Sequence, residues 1–173
     1  MDVLFLHGAG GWEDDQPLAG ELGARLDVPV TMPRFPDEDM SAAGWLRGIT
    51  DAWAWLGAEA VVVGHSFGAS MALLQLADGW QGPLPRGLIL LATPFWGEEG
   101  WQGEYALPAD FDTPSGLPIV FHHCADDETV PVGHLDRFGV LLPDAVVRRH
   151  ETGGHQFEGR MAAVADDVAR LST

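Results

Sequence analysis

The chain has 173 residues, 46% of them hydrophobic, which is enough for one domain with a buried core and too few for two comfortable ones. Its 26 acidic residues face only 9 basic ones, all arginine, for a net charge of -17, a surface that repels phosphate backbones and anionic headgroups and so argues against nucleic acid and membrane as partners. The single cysteine, Cys124, excludes an internal disulfide framework, and the opening "MDVLFLHGAGG" has neither the basic start of a signal peptide nor the roughly 20 apolar residues of a membrane span, so a cytoplasmic location is expected.

Short apolar runs bounded by Gly, Pro or Asp predict strands at 3–7 ("VLFLH"), 28–32 ("VPVTM"), 60–64 ("AVVVG"), 87–92 ("GLILLA"), 117–123 ("LPIVFHH") and 145–150 ("AVVRRH"). Helical spacing between them predicts helices over 16–26, 41–56, 67–79, 132–141 and 157–171, the second opened by Ser41 as its cap. Strands nearly continuous in Val, Ile and Leu, separated by helices, imply a parallel sheet covered on both faces. The expectation is a doubly wound α/β domain, single over 1–173. No repeat or low-complexity tract interrupts it. The segment 93–117, "TPFWGEEGWQGEYALPADFDTPSGL", breaks the rhythm where a crossover helix is due. A loop of that length usually has a function or is mobile. Its aromatics, Phe95, Trp96, Trp101, Tyr105 and Phe111, suggest a short cap over a site.

The stretch "VVVGHSFGAS" at 61–70 raises the question of chemistry. A Gly-x-Ser-x-Gly run is weak alone and gains weight from a strand before it and a helix after it, both of which are predicted here. Ser66 would sit at a sharp strand-to-helix turn, where side chains in place of Gly64 and Gly68 would collide with neighbouring backbone. The plain alternative is a serine that caps the following helix. A nucleophilic serine needs a base, and the base an orienting carboxylate. His155, in "TGGHQFEG" past the last strand, and Asp127, in "HHCADDETVP" past the fifth, supply both types at strand ends. The order Ser66, Asp127, His155 is the nucleophile, acid, histidine order of α/β-hydrolases.

With "FLHGAGG" after the first strand, "GHSFG" at the serine, "DDETVP" at the acid and "GGH" at the histidine, the chain resembles the α/β-hydrolase superfamily. Within it, the chain is most similar to the small, nearly capless serine hydrolases of the retinoblastoma-binding-protein-9 and YdeN type. The likeness in element order covers almost the whole chain. It opens directly on the strand that bears His7 and Gly8, without the two preceding strands of larger hydrolases, as small members do. The resemblance implies a strand order 2-1-3-4-5-6, which puts the ligand crevice between strands 1 and 3, where the order reverses. Attack by Ser66 on an acyl carbon would place negative charge on an oxygen, and the backbone amides of Phe67 and Ala9, with Gly10 as fallback, are the expected oxyanion donors. A phosphate cradle is the weaker reading of the glycine-rich loop, because it lacks a GxGxxG run or a Lys-Ser/Thr ending.

Asp127 is favoured over Asp126 because the family pattern has the acid three residues before Val-Pro; Asp126 would then be a turn-capping carboxylate. "HHC" at 122–124 invites a metal reading, but adjacent strand residues point to opposite faces. A buried thiol and two strand-end histidines are the alternative. His7 and His65 are expected to brace loops, and His134 and His150 to belong to no constellation. Trp45, Trp53 and Trp80 should pack against the sheet, with Trp55 ambiguous. Gly10, Trp12, Phe95, Trp96 and Trp101 are the candidate substrate-binding residues, the tryptophans alternatively a surface cluster. The function expected is a serine hydrolase acting on small, neutral or cationic carboxylic esters or thioesters, with no cofactor and no metal. A non-catalytic binding protein on the same scaffold, a metal-dependent hydrolase, and a lactonase, amidase or acyltransferase with the same triad are the alternatives.

Overall fold

Each apolar run becomes a parallel strand in the computed structural model, which describes residues 1–98 and 101–172. In chain order the elements are β1 (Asp2–Leu6), α1 (Gln16–Leu26), β2 (Val30–Thr31), α2 (Ala42–Leu56), β3 (Ala60–His65), α3 (Phe67–Ala77), β4 (Gly87–Leu91), β5 (Ile119–Cys124), α4 (Gly133–Leu141), β6 (Val146–His150) and α5 (Met161–Leu171). The sheet order is β2-β1-β3-β4-β5-β6, as expected, with every pairing parallel. The chain runs outward from β1 to β2 and then crosses back to β3. The carboxyl ends of β1 and β3 therefore open the crevice that such a reversal creates.

Two elements fall furthest short of their sequence pattern. β2 shrinks to two residues, because Pro29 and Pro33 flank it and a proline has no N–H for the ladder. The last helix starts at Met161 rather than 157. Phe157 (φ 53) and Gly159 (φ 69) adopt the left-handed region, which a right-handed helix cannot contain.

Alternation along the strands divides the core in two. Leu4, Leu6, Val62, Leu90 and Phe121 face α2, α3 and α4. Val3, Phe5, Val61, Ile89 and Val120 face α1 and α5. Trp45 and Trp53 of α2 are fully buried, and Trp80 packs on Trp53 with ring centroids 5.4 Å apart. Truncating either buried tryptophan to alanine would cost about 3–5 kcal/mol, whereas Trp55 is exposed. Ser41 caps α2, its hydroxyl accepting from the Gly44 amide. Among the described residues no helix is long and apolar enough to cross a membrane.

The segment 93–117, whose residues 99 and 100 lie outside the described residues, has a single 3-10 turn at Gly103–Tyr105 as its described regular structure. It is held by its aromatics. Trp96 meets Trp101 and Tyr105 edge to face at 5.2 and 4.8 Å, and Phe111 is buried in the core.

Candidate active site

Ser66 stands between the last residue of β3 and the first of α3 with φ 52 and ψ -118. A non-glycine residue held at positive φ is strained and persists only where its surroundings fix it. They do so here: its amide donates to Leu91 O at 2.8 Å, and its carbonyl accepts from Ala69 and Ser70. A Cβ on Gly68 would come within 2.3 Å of Leu6 O, and one on Gly64 within 2.6 Å of Ala69 Cα. Both glycines are thus demanded by close backbone approach. The Ser66 side chain makes no capping bond to α3, so the hydroxyl is not consumed in ending the helix.

Beyond β5 and β6, two adjacent aspartates take different tasks. Asp126 accepts from the Gly153 and Gly154 amides and so grips the loop that carries His155. Asp127 accepts from His155 Nδ1 at 2.9 and 3.1 Å, from the Thr129 and Val130 amides at 2.8 Å, and lies 3.3 Å from His123 Nε2. Burial alone would raise its pKa. The bonds from His123, His155 and the two amides outweigh burial and hold the carboxyl well below the usual carboxylate range.

A second buried pair ties the loops together. Asp15 heads α1 without capping it, because its Oδ2 turns inward to accept from Gly8 N at 2.8 Å and to meet His65 Nδ1 at 2.9 Å. Burial works against ionised Asp15, yet the His65 hydrogen bond and charge prevail and its pKa is lowered. The other nitrogen of His65 meets His155 O at 2.9 Å, and the two rings are 4.8 Å apart. The residue before Ser66 therefore links the first loop to the histidine loop. His7 braces in a similar way, accepting from the Phe35 amide through Nε2 and donating to Gly8 O through Nδ1. Asp15 is a residue that sequence reasoning missed; in "GGWEDDQP" it looks like one more solvated acid at a helix start.

Ser66 lines a crevice of about 210 Å³ together with Ala9, Phe67, Trp96, Trp101, Tyr105 and Val130. Neither the Ala9 nor the Phe67 amide donates to a protein acceptor among the described residues, as befits a loop amide and the first amide of a helix. Three of the candidate substrate residues lie elsewhere. Trp12 borders a groove between α1 and β2, under Arg34 and 3.4 Å from Met32 O. Phe95 stacks edge-on to Phe138, behind the crevice. Gly10 turns outward, its amide on Asp37. Tyr105 and Val130 take their place, residues that only the folding of 93–117 and of the turn after β5 brings to Ser66.

The "HHC" run splits as alternation requires. His123 Nε2 bonds Val130 O, while His122 Nδ1 meets His150 Nε2 at 3.0 Å and its Nε2 lies 3.2 Å from Asp167. The expectation that His150 joins no constellation is thereby corrected, because β5 and β6 pair in a register that stacks the two rings. Burial, then the Asp126 and Asp127 charges, push the Cys124 thiol up to about 12. Among the described residues no group of three or more His, Cys, Asp or Glu side chains could hold a metal ion.

Solved structures share this architecture at low identity. The ydeN gene product from B. subtilis superposes with a TM-score of 0.76 at 18% identity, over 98% of this chain and 97% of its own. Alpha/beta hydrolase domain-containing protein 10 from mouse gives 0.76 at 14%, covering 98% and 88%. MGS-MChE2, an alpha/beta hydrolase enzyme from a lagoon-sediment metagenome, gives 0.75 at 17%, covering 98% and 89%. No curated protein matches the chain in sequence. The model of the alpha/beta hydrolase family matches residues 3–171, nearly the full length, and the chain belongs to that family.

Proposed function

We propose that the chain is a serine hydrolase that cleaves small carboxylic esters or thioesters through an acyl-enzyme. The observation that carries this reading is the 2.9 Å bond between His155 Nδ1 and Asp127, because it fixes the ring and leaves Nε2 as the nitrogen for proton transfer. Ser66 Oγ attacks the acyl carbon as His155 Nε2 takes its proton, and Asp127 stabilises the imidazolium that forms. The carbonyl oxygen becomes an oxyanion, for which the amides of Ala9 and Phe67 are the donors, each contributing about 3 kcal/mol to lowering the barrier. Collapse of the tetrahedral intermediate breaks the acyl–oxygen or acyl–sulfur bond. The leaving group carries away the proton held by His155. Water then attacks the acyl-enzyme with the same imidazole as base, releasing the acid and restoring Ser66. None of these steps calls for a cofactor.

The segment 93–117 serves as a minimal cap, with Trp96 and Trp101 on the crevice. Twenty-six acidic residues against nine basic ones disfavour polyanionic substrates, so neutral or cationic esters with short acyl groups fit best. Labelling with a fluorophosphonate probe, beside Ser66→Ala, tests the chemistry. Covalent labelling lost in the variant is the expected result, and a folded wild type that does not label overturns it. Faster hydrolysis of long-chain than of short-chain esters by the wild type would overturn the substrate class alone.

A further inference from the structure

The geometry points to Trp96 as the residue that limits acyl-chain length, an inference that rests on Ser66 being the acyl acceptor. Behind the crevice lies a second, smaller cavity of about 20 Å³, bordered by Ser70, Leu73, Phe95, Leu107 and Phe138. That is room for about one water, although all of these border residues but Ser70 are apolar. The crevice at Ser66 and this inner cavity have Pro94, Trp96 and Tyr105 as their common wall. Ser66 immediately precedes α3 and Ser70 lies in its first turn, the Ser70 amide donating to Ser66 O at 3.2 Å. An acyl group on Ser66 that runs inward along α3 therefore meets the shared wall.

Of its three members, two are fixed by the fold. Pro94 follows the end of β4, and its carbonyl accepts from Ser70 Oγ at 3.3 Å. Tyr105 is buried, with its hydroxyl donating to Met40 O at 2.7 Å. Trp96 is held by its side chain: the indole Nε1 donates to Ser70 Oγ at 2.8 Å, and the ring stands edge to face against Phe67, Trp101 and Tyr105. Ser70 thus acts as a polar latch in an apolar lining, accepting from the indole while it donates to Pro94. With the latch closed, the acyl pocket ends at the indole. With it open, crevice and inner cavity become one apolar channel, in which each methylene that enters should gain about fourfold in kcat/KM.

The test compares p-nitrophenyl acetate with p-nitrophenyl octanoate on wild type, Trp96→Ala and Ser70→Ala, with fluorophosphonate labelling of each protein in parallel. Trp96→Ala should raise the octanoate-to-acetate ratio of kcat/KM by about tenfold or more. Ser70→Ala, which releases the latch and keeps the indole, should move the ratio in the same direction by less. Variants that label at the wild-type rate and keep the wild-type ratio would overturn the assignment of Trp96 while leaving Ser66 as nucleophile. Absence of labelling in the wild type would remove the nucleophile, and the inference with it. Should Trp96→Ala fail to fold, the same ratio on Trp96→Leu decides.

Discussion

Two carboxylate–imidazole pairs lie side by side at the carboxyl ends of the strands, Asp127 with His155 and Asp15 with His65, their rings 4.8 Å apart. Each pair is joined by a contact of 2.9 Å through Nδ1. They differ at the other nitrogen. His65 Nε2 is engaged by His155 O, and both His65 and Asp15 are sealed at 2% and 1% exposure. In His155 no protein bond among the described residues engages Nε2, and the ring keeps 11% exposure. Identical chemistry therefore serves two ends: an imidazole with both nitrogens bonded is a brace, and one with a nitrogen left over can move a proton.

The largest effect that separates the pairs is on turnover. Asp127→Asn should lower kcat for a short-chain ester by about 10⁴-fold, since the imidazole loses the partner that fixes its tautomer, while the far-ultraviolet circular dichroism stays that of a folded protein. An Asp127→Asn enzyme within tenfold of wild type would mean that the two pairs are not divided in this way. Asp15→Asn should do the reverse. Breaking a buried pair costs about 3–5 kcal/mol, read as a lower midpoint in urea, and the folded fraction should still label at Ser66. Loss of labelling at undiminished stability would place Asp15 in the chemistry and erase the contrast.

Much of this was legible beforehand, for reasons that differ by residue. The strands could be read because a parallel sheet covered on both faces needs continuous apolar runs. Ser66 could be read because the turn's close approaches admit only glycine at 64 and 68. The pairing of Asp127 with His155 was suggested by their places past strand ends, and the choice of Asp127 over the adjacent Asp126 by the family pattern alone. Asp15 could not be read, since a carboxylate at a helix start usually faces solvent or caps the helix, and only the approach of β1 to β3 gives it His65 as partner. The crevice walls were half legible for the same reason. Trp96 and Trp101 lie there, but Trp12 and Phe95 point away, because an aromatic in a loop carries no period that fixes its direction.

A third pair sharpens the comparison most finely, because it lies away from the crevice. His122, fully buried, sits between His150 and Asp167, and burial, followed by the charge of His150, lowers its pKa from 6.5 to about 4. Since the folded value lies below the unfolded one, the unfolded chain takes up a proton first as pH falls. Stability should therefore be lost between pH 6.5 and about 4, by about 3 kcal/mol, and no further below that once both states are protonated. His150, lowered by burial too, adds to the same window. Asp167, lowered from 3.8, contributes stability that is lost only as pH falls below that value. His122→Leu should flatten the urea-midpoint profile between pH 6.5 and 4 and leave ester hydrolysis at neutral pH unchanged. A profile that keeps its slope in His122→Leu would mean that another group titrates there. A parallel loss of activity would mean that this pair, too, reaches Ser66.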